Sequence, residues 1–535
     1  MRRFHSYGPV DCDYHFCVER RALVERCLSQ LIGIPEKGGS YFTIWAPRQT
    51  GKTWLMRQVK QAVEQRYGDQ FTVFSFSFGN LRGMGETITA QWNTIDFPEP
   101  FRDVLESALP GNPRVEAWTD FVKLFARQGG LWDRPLILLI DEADTAPPLL
   151  LDWIVGRFRE MYLDRESNWL HGLALIGVRA VLGIESPRGS PFNIQRSLHV
   201  PNFTLDEVRD LFQQYQTESG QAVEPAVVEE VYADTNGQPG LVGWLGELLT
   251  ETYNPGPPQQ IGQATWARVW NAARFLAPNN TVLNLIAKAR MPEYQDFILQ
   301  LFTHSDIPFA FHEPLQSYLY LHGIIRPETI QLPDGRFVNT CRFSSPFIQD
   351  TLYYALSSDL VGDRLPILAL HPLDDLADVF AAPVGFDLPA LLRRYKEYLA
   401  RLKAKNIDPW KEQPRRKTDL QLIEAVGHFH LYAWLQAAIG RRCAVSPEFP
   451  TGNGRVDLHL RCGEKRGIIE VKSFVDQYQA REDRVQAARY AKRLGLNQVT
   501  LAVFVPVEDE AVLQALSVIE TVDEVIVTVV AIGWV

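Results

Sequence analysis

The sequence lacks the marks of several protein classes. No apolar run approaches the roughly 20 residues that a membrane-spanning helix needs. The basic N-terminal residues are followed by no apolar stretch of the kind that makes a secretory signal. Six scattered cysteines form no CxxC pair, which argues against a structural zinc site and predicts unpaired thiols in a reducing cytoplasm. We therefore expect a cytoplasmic protein without a membrane partner.

A surplus of positive charge is also absent. The 535 residues carry 54 Lys and Arg against 64 Asp and Glu, a formal net charge of −10. This balance excludes a globally basic nucleic-acid binder, but not a local basic groove, because contact depends on where the cations cluster. There is no internal repeat or low-complexity tract, and the length predicts about three domains.

Short apolar runs in the first half alternate with helix-period segments. The runs are YFTIW (41–45), FTVFSFSF (71–78), LILLI (136–140) and LALIGV (173–178). Such an alternation predicts an α/β domain, with a parallel sheet covered by helices on both faces. We assign this domain to residues 1–252, and the Pro-, Gly- and Gln-rich segment 253–262 is typical of a linker.

A phosphate-binding loop follows the first of these runs and opens a helix. Its residues are Ala46, Pro47, Arg48, Gln49, Thr50, Gly51, Lys52 and Thr53. Backbone N–H groups and a helix N-terminus form an anion cradle in this context. Lys52 is expected to reach the β- and γ-phosphates of ATP, and the Thr53 hydroxyl to bind Mg²⁺. The loop departs from GxxxxGK[ST] at Ala46, where the motif has glycine.

The run LILLI leads directly into adjacent acids. Asp141 at the strand tip is predicted to hold the Mg²⁺ shell, and Glu142 to orient or deprotonate the attacking water. The alternative interpretation is an acidic cap of the next helix, a role that Asp144 could fill. For the arginine that stabilises the transferring charge, Arg179, Arg188 and a residue of another subunit remain open, so a homo-oligomer is possible.

Two further segments carry a family resemblance. VPNFTLDEV (200–208), followed by TNGQPG (235–240), resembles the end of the ATPase core in AAA-like and STAND-type archaeal and bacterial P-loop ATPases. The resemblance covers roughly residues 16–360 and implies that Gly237 and Pro239 lie against the nucleotide. Helical segments and then a hairpin signal at Asp334-Gly335 predict a winged-helix module over residues 263–360.

The last quarter of the chain contains a second acidic group. A helical linker is predicted over 361–414, with a helix near 388–405 and the basic stretch KEQPRRK (411–417) at its end. In the domain 415–535, Asp457 lies in one predicted strand, and Glu470 and Lys472 share a face of the next. A hairpin between these strands would bring Asp457 alongside. The carboxylates suit Mg²⁺ or Mn²⁺, and Lys472 would orient water or stabilise phosphoryl charge.

The order of these elements resembles the PD-(D/E)XK nuclease superfamily, although Val456 stands where the motif has proline. The resemblance implies an α/β/α restriction-endonuclease-like fold that hydrolyses phosphodiesters, usually of DNA. It adds Glu424, on a predicted helix 419–438, as a metal ligand, and Gln486 with Tyr490 on a later helix. The alternative is a solvated hairpin face that happens to carry Asp, Glu and Lys. His428, His430 and His459 are interpreted as packed or surface residues.

Together these patterns predict an ATP-binding and ATP-hydrolysing protein coupled to metal-dependent cleavage of nucleic acid, most simply DNA. The rival is a nucleotide-controlled DNA-binding regulator whose C-terminal domain does not cut. A third possibility is an ATPase that turns over slowly and acts as a timer. A role in defence or mobile-element maintenance follows by analogy alone.

Overall fold

The computed structural model forms two compact units: Met1–Ala277 with Tyr320–Gly323, and Pro278–Leu319 with Ile324–Val535. No helix among the described residues is both long and apolar enough to cross a bilayer. Only the backbone is described for residues 196, 361, 448, 457, 477 and 493. The described residues are 1–6, 8, 10–35, 37–81, 97–177, 196–277, 279–302, 304, 307–331, 335–361, 369–371, 376–381, 385–416, 419, 421–440, 443–448, 457–462, 465–493 and 495–534.

A five-stranded parallel sheet forms the centre of the first unit, in the order β2-β3-β4-β1-β5. The predicted parallel sheet is therefore confirmed, and each of the four apolar runs is a strand. The fifth strand was not predicted, because its four residues include Arg196, Ser197 and His199 and form no apolar run. The strands are β1 (Tyr41–Trp45), β2 (Thr72–Ser77), β3 (Leu136–Asp141), β4 (Leu170–Gly177) and β5 (Arg196–His199).

Helices cover both faces of this sheet, as predicted. One face packs on α1 and α2 through residues such as Leu31 and Val59, and the other packs on α3–α5 through Phe101, Phe121 and Phe158. The helices of the unit are α1 (Arg21–Ile32), α2 (Lys52–Tyr67), α3 (Glu99–Ala108), α4 (Trp118–Lys123), α5 (Pro148–Leu163), α6 (Leu205–Ser219), α7 (Pro225–Thr235), α8 (Pro239–Glu247) and α9 (Gln263–Phe275).

The second unit contains a two-stranded hairpin and a six-stranded mixed sheet. The hairpin pairs β6 (Ile325–Gln331) with β7 (Phe337–Phe343) around the predicted turn, of which Gly335 is described and Asp334 is not. The sheet has the order β12-β13-β11-β10-β9-β8. Its strands are β8 (Ala444–Glu448), β9 (Asp457–Cys462), β10 (Lys465–Ser473), β11 (Gln498–Val505), β12 (Ile519–Val522) and β13 (Val525–Gly533).

Strand direction within the mixed sheet decides where the carboxyl ends of its parallel strands meet. β8, β9 and β10 form an antiparallel meander, whereas β10, β11 and β13 run parallel. The carboxyl ends of these three parallel strands consequently meet at one edge. The helices of the unit are α10 (Asn280–Ala289), α11 (Pro292–Leu301), α12 (Pro314–Leu321, whose last two residues belong to the first unit), α13 (Pro346–Val361), α14 (Leu388–Ala404), α15 (Glu424–Ile439), α16 (Gln477–Arg493) and α17 (Glu510–Leu516).

Helices lie on both faces of the mixed sheet. Alanines of α16 pack against Ile468 and Leu501 on one face. On the other face, Tyr395 of α14 contacts Phe504, and Gly427 of α15 approaches that ring so closely that a Cβ there would lie 2.6 Å from it. The second unit therefore contains an α/β/α arrangement. The finer division of the chain at residues 252, 263, 361 and 415 stays a prediction.

The helix predicted over 419–438 begins later, at Glu424. Before it, Arg415 and Leu422 form an antiparallel bridge, and Ile423 is extended with φ −65° and ψ 136°. Residues 419, 421 and 422 are therefore not helical. The helix near 388–405 is found as predicted, over Leu388–Ala404.

The expectation that the cysteines are unpaired was wrong for four of the six. Cys12 is bonded to Cys17, and Cys443 to Cys462, with Cα–Cα distances of 5.6 Å and 4.5 Å. The second pair forms because Ala444 and Arg461, its chain neighbours, face each other across β8 and β9. Such proximity comes from strand pairing and leaves no mark in the spacing of the sequence. Cys27 and Cys341 are buried free thiols.

Candidate functional site

The phosphate-binding loop connects the carboxyl end of β1 to α2. Ala46 is completely buried, and its N–H donates to Gly177 O of the neighbouring β4 at 3.4 Å. The methyl group in place of the motif's first glycine is thus accommodated in the core. Gly51, directly before α2, has φ +84°, a conformation that favours glycine. The loop therefore keeps its strand–loop–helix geometry despite the Ala46 substitution.

The ammonium of Lys52 folds back over this loop. Lys52 Nζ donates to Ala46 O at 2.9 Å and to Pro47 O at 2.7 Å. Desolvation lowers the pKa of Lys52 to about 8, although the carboxylates of Asp144 and Asp141 act in the opposite direction. Its two short contacts are neutral carbonyl oxygens, so an anion such as a phosphate would complete the site.

Thr53 and Asp141 meet at the adjacent strand tip. Thr53 Oγ1 donates to Asp141 Oδ2 at 2.7 Å, and Glu142 N donates to Asp141 Oδ1 at 2.9 Å. A hydroxyl and a carboxylate in contact are hard oxygen ligands, and they fit Mg²⁺ at this position. Ser77, which was not predicted, ends β2 opposite Asp141 and donates through Oγ to Glu142 Oε2 at 3.3 Å. A polar residue at the end of an apolar run was the available signal.

The TNGQPG segment lies against the loop. Gly240 N donates to Gln49 O at 3.1 Å, and Gln238 Nε2 lies 3.3 Å from Arg48 O. Gly237 has φ +65°, and a Cβ there would collide with Phe203 O. The structure thus brings the start of α8 at Pro239 to the phosphate-binding loop. Arg179 and Arg188 lie outside the described residues.

A largely apolar cavity of about 130 Å³ lies beside Thr50 and Gly51. Sequence reasoning missed it, because the first 20 residues show no periodic pattern. The available signal was the pair of phenylalanines in that segment, whose rings lie 5.2 Å apart at their centroids. The cavity is lined by aromatic and apolar residues that include Phe4, Phe16, Val18, Trp54, Phe203 and Pro239.

The acidic group of the second unit surrounds another lysine. Glu470 and Lys472 share a face of β10, and Lys472 Nζ lies 3.0 Å from Glu470 Oε1 and 3.3 Å from Glu424 Oε1. Glu470 and Lys472 are 1% and 2% exposed, so the ion pair is shielded from water. The α-carbon of Asp457 pairs with that of Glu470 across β9 and β10, as the hairpin prediction requires; the Asp457 side chain lies outside the described residues.

Glu424 reaches this group from the first residue of α15. Its carboxylate accepts from Ser473 N at 3.4 Å, and Ser473 Oγ donates to Leu422 O at 2.8 Å. A carboxylate at a helix N-terminus is electrostatically favourable. Ser473 was not predicted as part of the site, although it directly follows Lys472.

The donor chemistry of this group fits a hard divalent cation, since Glu424 and Glu470 supply carboxylate oxygens. Lys472 balances part of their charge. Among the side chains that the structure describes, no three His, Cys, Asp or Glu residues are grouped to hold a metal. A ligand set of three therefore depends on Asp457.

Gln486 and Tyr490 lie half-buried on α16. Tyr490 packs against the apolar cluster that contains Ile468, two residues before Glu470 on the same strand. The histidines His428 and His430 are buried, and each contacts a tyrosine hydroxyl, Tyr353 at 2.8 Å and Tyr395 at 2.6 Å. Burial lowers the pKa of both imidazoles to about 3, so they are neutral packed residues. His459 lies within β9.

No protein-family model matches the chain, and no curated protein matches it. Among solved structures, the chain is similar to the Walker-type ATPase of Pyrococcus abyssi, with 14% identity over 65% of this chain and 99% of that one and a TM-score of 0.42. The ORC1 protein of Aeropyrum pernix in complex with DNA is 16% identical over 64% of this chain and 94% of that one, with a TM-score of 0.31. The RuvB Holliday junction branch migration motor of Thermotoga maritima is 12% identical over 60% of this chain and 92% of that one, with a TM-score of 0.33. Similarity at this level adds nothing to the geometry of the sites.

Proposed function

We propose that the first unit binds and hydrolyses ATP. The observation that carries this proposal is the convergence of Lys52, Thr53, Asp141 and Glu142 at the carboxyl edge of one parallel sheet. The backbone N–H groups of the loop and the start of α2 favour the phosphates, and Lys52 Nζ adds a positive charge. Mg²⁺, held by Thr53 and Asp141, supplies neutralisation of phosphate charge when it is bound.

Glu142 is the proposed general base. It follows the Asp141 strand tip, and Ser77 holds its carboxylate at 3.3 Å. A carboxylate so fixed can orient a water and accept its proton while the water attacks the terminal phosphate. Ser77 would act through Glu142, as a positioning residue.

The apolar cavity is the proposed site of the nucleobase. It begins at Thr50 and Gly51, where the phosphates would end, and Phe4, Phe16 and Trp54 offer aromatic and apolar surface for a flat ring. Pro239 lines the same cavity, which supports the expected contact between this segment and the nucleotide. Arg179, Arg188 and a partner subunit stay open as sources of the arginine finger.

We propose that the second unit hydrolyses phosphodiester bonds of nucleic acid, most simply DNA, as a PD-(D/E)XK-type nuclease. The supporting observation is that Glu470, Lys472 and Glu424 converge next to the backbone position of Asp457, in the chain order α15-β8-β9-β10-α16-β11. Glu424, Asp457 and Glu470 would hold Mg²⁺ or Mn²⁺, which lowers the pKa of bound water when it is present. Lys472 would stabilise charge on the attacked phosphate, and Gln486 would help to orient the substrate.

One observation favours the non-cleaving alternative. Lys472 contacts two carboxylates, as it would in a purely structural ion triad, and such a domain could bind nucleic acid without cutting it. Titration calorimetry with Mn²⁺, compared between the wild type and Asp457→Ala, separates the two functions, because only the nuclease needs a metal at this acidic group. The hairpin β6–β7 after helices α10–α12 supports a winged-helix module, which we propose as a second nucleic-acid contact.

Two assays on the full chain test these proposals. Phosphate release from ATP with Mg²⁺ is compared between the wild type and Lys52→Ala, and equal rates would refute the ATPase. Cleavage of single- and double-stranded DNA and RNA is measured with Mg²⁺ or Mn²⁺, with and without ATP, for the wild type and Asp457→Ala. If no substrate is cut under any condition, the regulator replaces the nuclease.

A further inference from the structure

Residues 415–416 and 421–422, before α15, pair antiparallel and are the described arms of a short hairpin beside the carboxyl end of β10. Arg415 and Leu422 form an antiparallel bridge, and Arg416 N donates to Gln421 O at 2.7 Å. Ser473, next to Lys472, fixes the returning arm through its hydroxyl bond to Leu422 O. The hairpin is thereby attached to the strand that carries the acidic group.

Arg416 holds the hairpin in place. Its Nη2 donates to Phe474 O at 3.0 Å, just beyond the end of β10, and to Gln421 Oε1 at 2.9 Å. It also forms an ion pair with Asp419 at 2.7 Å. Because the ion pair balances its charge and the hydrogen bonds tie it to the strand end, Arg416 is a positioning residue.

Arg415 is arranged differently. Its side chain is exposed, and the guanidinium carbon lies 4.6 Å from the ring centre of Trp534, which is 7% exposed. Stacking on a fixed ring restrains the guanidinium while its N–H edges stay available to an outside acceptor. Those edges make no hydrogen bond or ion pair to the described part of the chain.

The neighbouring strand ends place Arg415 near the acidic group. Phe474 N donates to Phe504 O at 2.9 Å, and Trp534 N donates to Val505 O at 3.1 Å, so the ends of β10, β11 and β13 are side by side. With neighbouring strands about 4.8 Å apart, Trp534 lies roughly 10 Å from the line of β10. This distance is comparable to the length of a short stretch of nucleic-acid backbone.

We propose that Arg415 binds a backbone phosphate beside the scissile one. The described acidic group has two carboxylates and one ammonium, so a polyanionic substrate is repelled unless cations lie next to it. A guanidinium supplies this charge and can bind a phosphate through two parallel N–H groups. The inference rests on the proposed nuclease function and names a substrate-binding residue for it.

The test is binding of a fluorescein-labelled DNA oligonucleotide, single-stranded and duplex, to the full chain with a chelator present so that cleavage is blocked. Fluorescence anisotropy is recorded over a series of salt concentrations for the wild type, Arg415→Gln and Lys492→Gln. Lys492 is the matched control, since it loses the same charge from the same unit but pairs with Glu524, before β13 begins. The nine residues of β13 separate Glu524 from Trp534 by roughly 30 Å.

Arg415→Gln is expected to weaken binding roughly fivefold to tenfold and to reduce the slope of log affinity against log salt by about 1, while Lys492→Gln matches the wild type. Equal affinities and slopes for the two variants would overturn the role of Arg415. A wild-type chain that binds neither oligonucleotide with the chelator, and cuts neither when Mn²⁺ is added in excess, would instead overturn the proposed nuclease function. Unfolding by urea, monitored for each variant, shows that the variants fold alike.

Discussion

Both candidate sites are organised around one lysine, and the two lysines have opposite surroundings. Lys52 contacts the neutral carbonyl oxygens of Ala46 and Pro47, so its charge is left for an incoming anion. Lys472 lies between the carboxylates of Glu470 and Glu424, so its charge is already balanced. The first arrangement suits a polyphosphate, and the second keeps a surplus of carboxylate that suits a divalent cation. The residue type alone therefore does not define the ligand.

The largest effect is expected where the cation site loses a carboxylate. Glu470→Gln removes one hard ligand and one partner of Lys472 while keeping the side-chain shape, so DNA cleavage should fall by at least about a hundredfold. ATP hydrolysis should be unchanged. Gel assays of cleavage and phosphate-release assays on the same preparation measure both. Cleavage at the wild-type rate would show that Glu470 is only structural.

The next effect concerns Glu142, the carboxylate proposed to orient water at the anion site. Glu142→Gln keeps Lys52, Thr53 and Asp141, so ATP should still bind, whereas hydrolysis should slow by about a hundredfold or more. Binding is followed with a fluorescent ATP analogue and turnover by phosphate release. Lys52→Ala is the control, since it should weaken binding itself. A Glu142→Gln protein that hydrolyses ATP normally would assign the acid a capping role.

A third prediction compares the effect of a glycine-to-alanine substitution on stability in each of the two units. At Gly427 a new Cβ would lie 2.6 Å from the Phe504 ring, so Gly427→Ala should destabilise the second unit by about 1–3 kcal/mol. Gly156, also within a helix, has open space at the same position, and Gly156→Ala should be neutral or slightly stabilising. Urea unfolding, followed together with ATP binding, measures the difference. A Gly427→Ala chain as stable as Gly156→Ala would mean that Phe504 moves freely.

The smallest effect is a pH dependence specific to the anion site. Desolvation lowers the pKa of Lys52 to about 8, and the proposed contact with ATP needs its protonated form. The affinity for ATP should therefore be highest below pH 8 and should fall, by up to about tenfold per pH unit, as the pH rises through that value. Fluorescent-nucleotide titrations across this range measure it. Lys52→Arg should flatten the profile, because arginine stays charged; an unchanged slope would assign the titration to another group.

The sequence predicted the elements whose signals are local. The apolar runs 41–45 and 136–140 and the loop between Ala46 and Thr53 were found because each is contiguous. The pairing of Asp457 with Glu470 followed from one hairpin and the alternation of strand residues.

What the sequence did not predict depends on contacts between distant segments. The cavity beside Gly51 is built from Phe4, Phe16, Trp54 and Phe203, which come together only when the chain folds. The late start of α15 at Glu424 results from a hairpin whose anchor, Phe474, is 50 residues or more away in the chain. The Cys443–Cys462 bond similarly depends on the register of β8 and β9.

The position of Lys472 has a practical consequence for how the protein can be handled. Because an internal ammonium stands between Glu424 and Glu470, the fold does not require a divalent ion as its counter-charge, unlike small domains that unfold when their metal is removed. Removal of the metal by a chelator should therefore stop the proposed cleavage reversibly without unfolding the protein. Protein purified and stored with a chelator should keep its melting temperature, and the proposed cleavage should return when Mn²⁺ is added back.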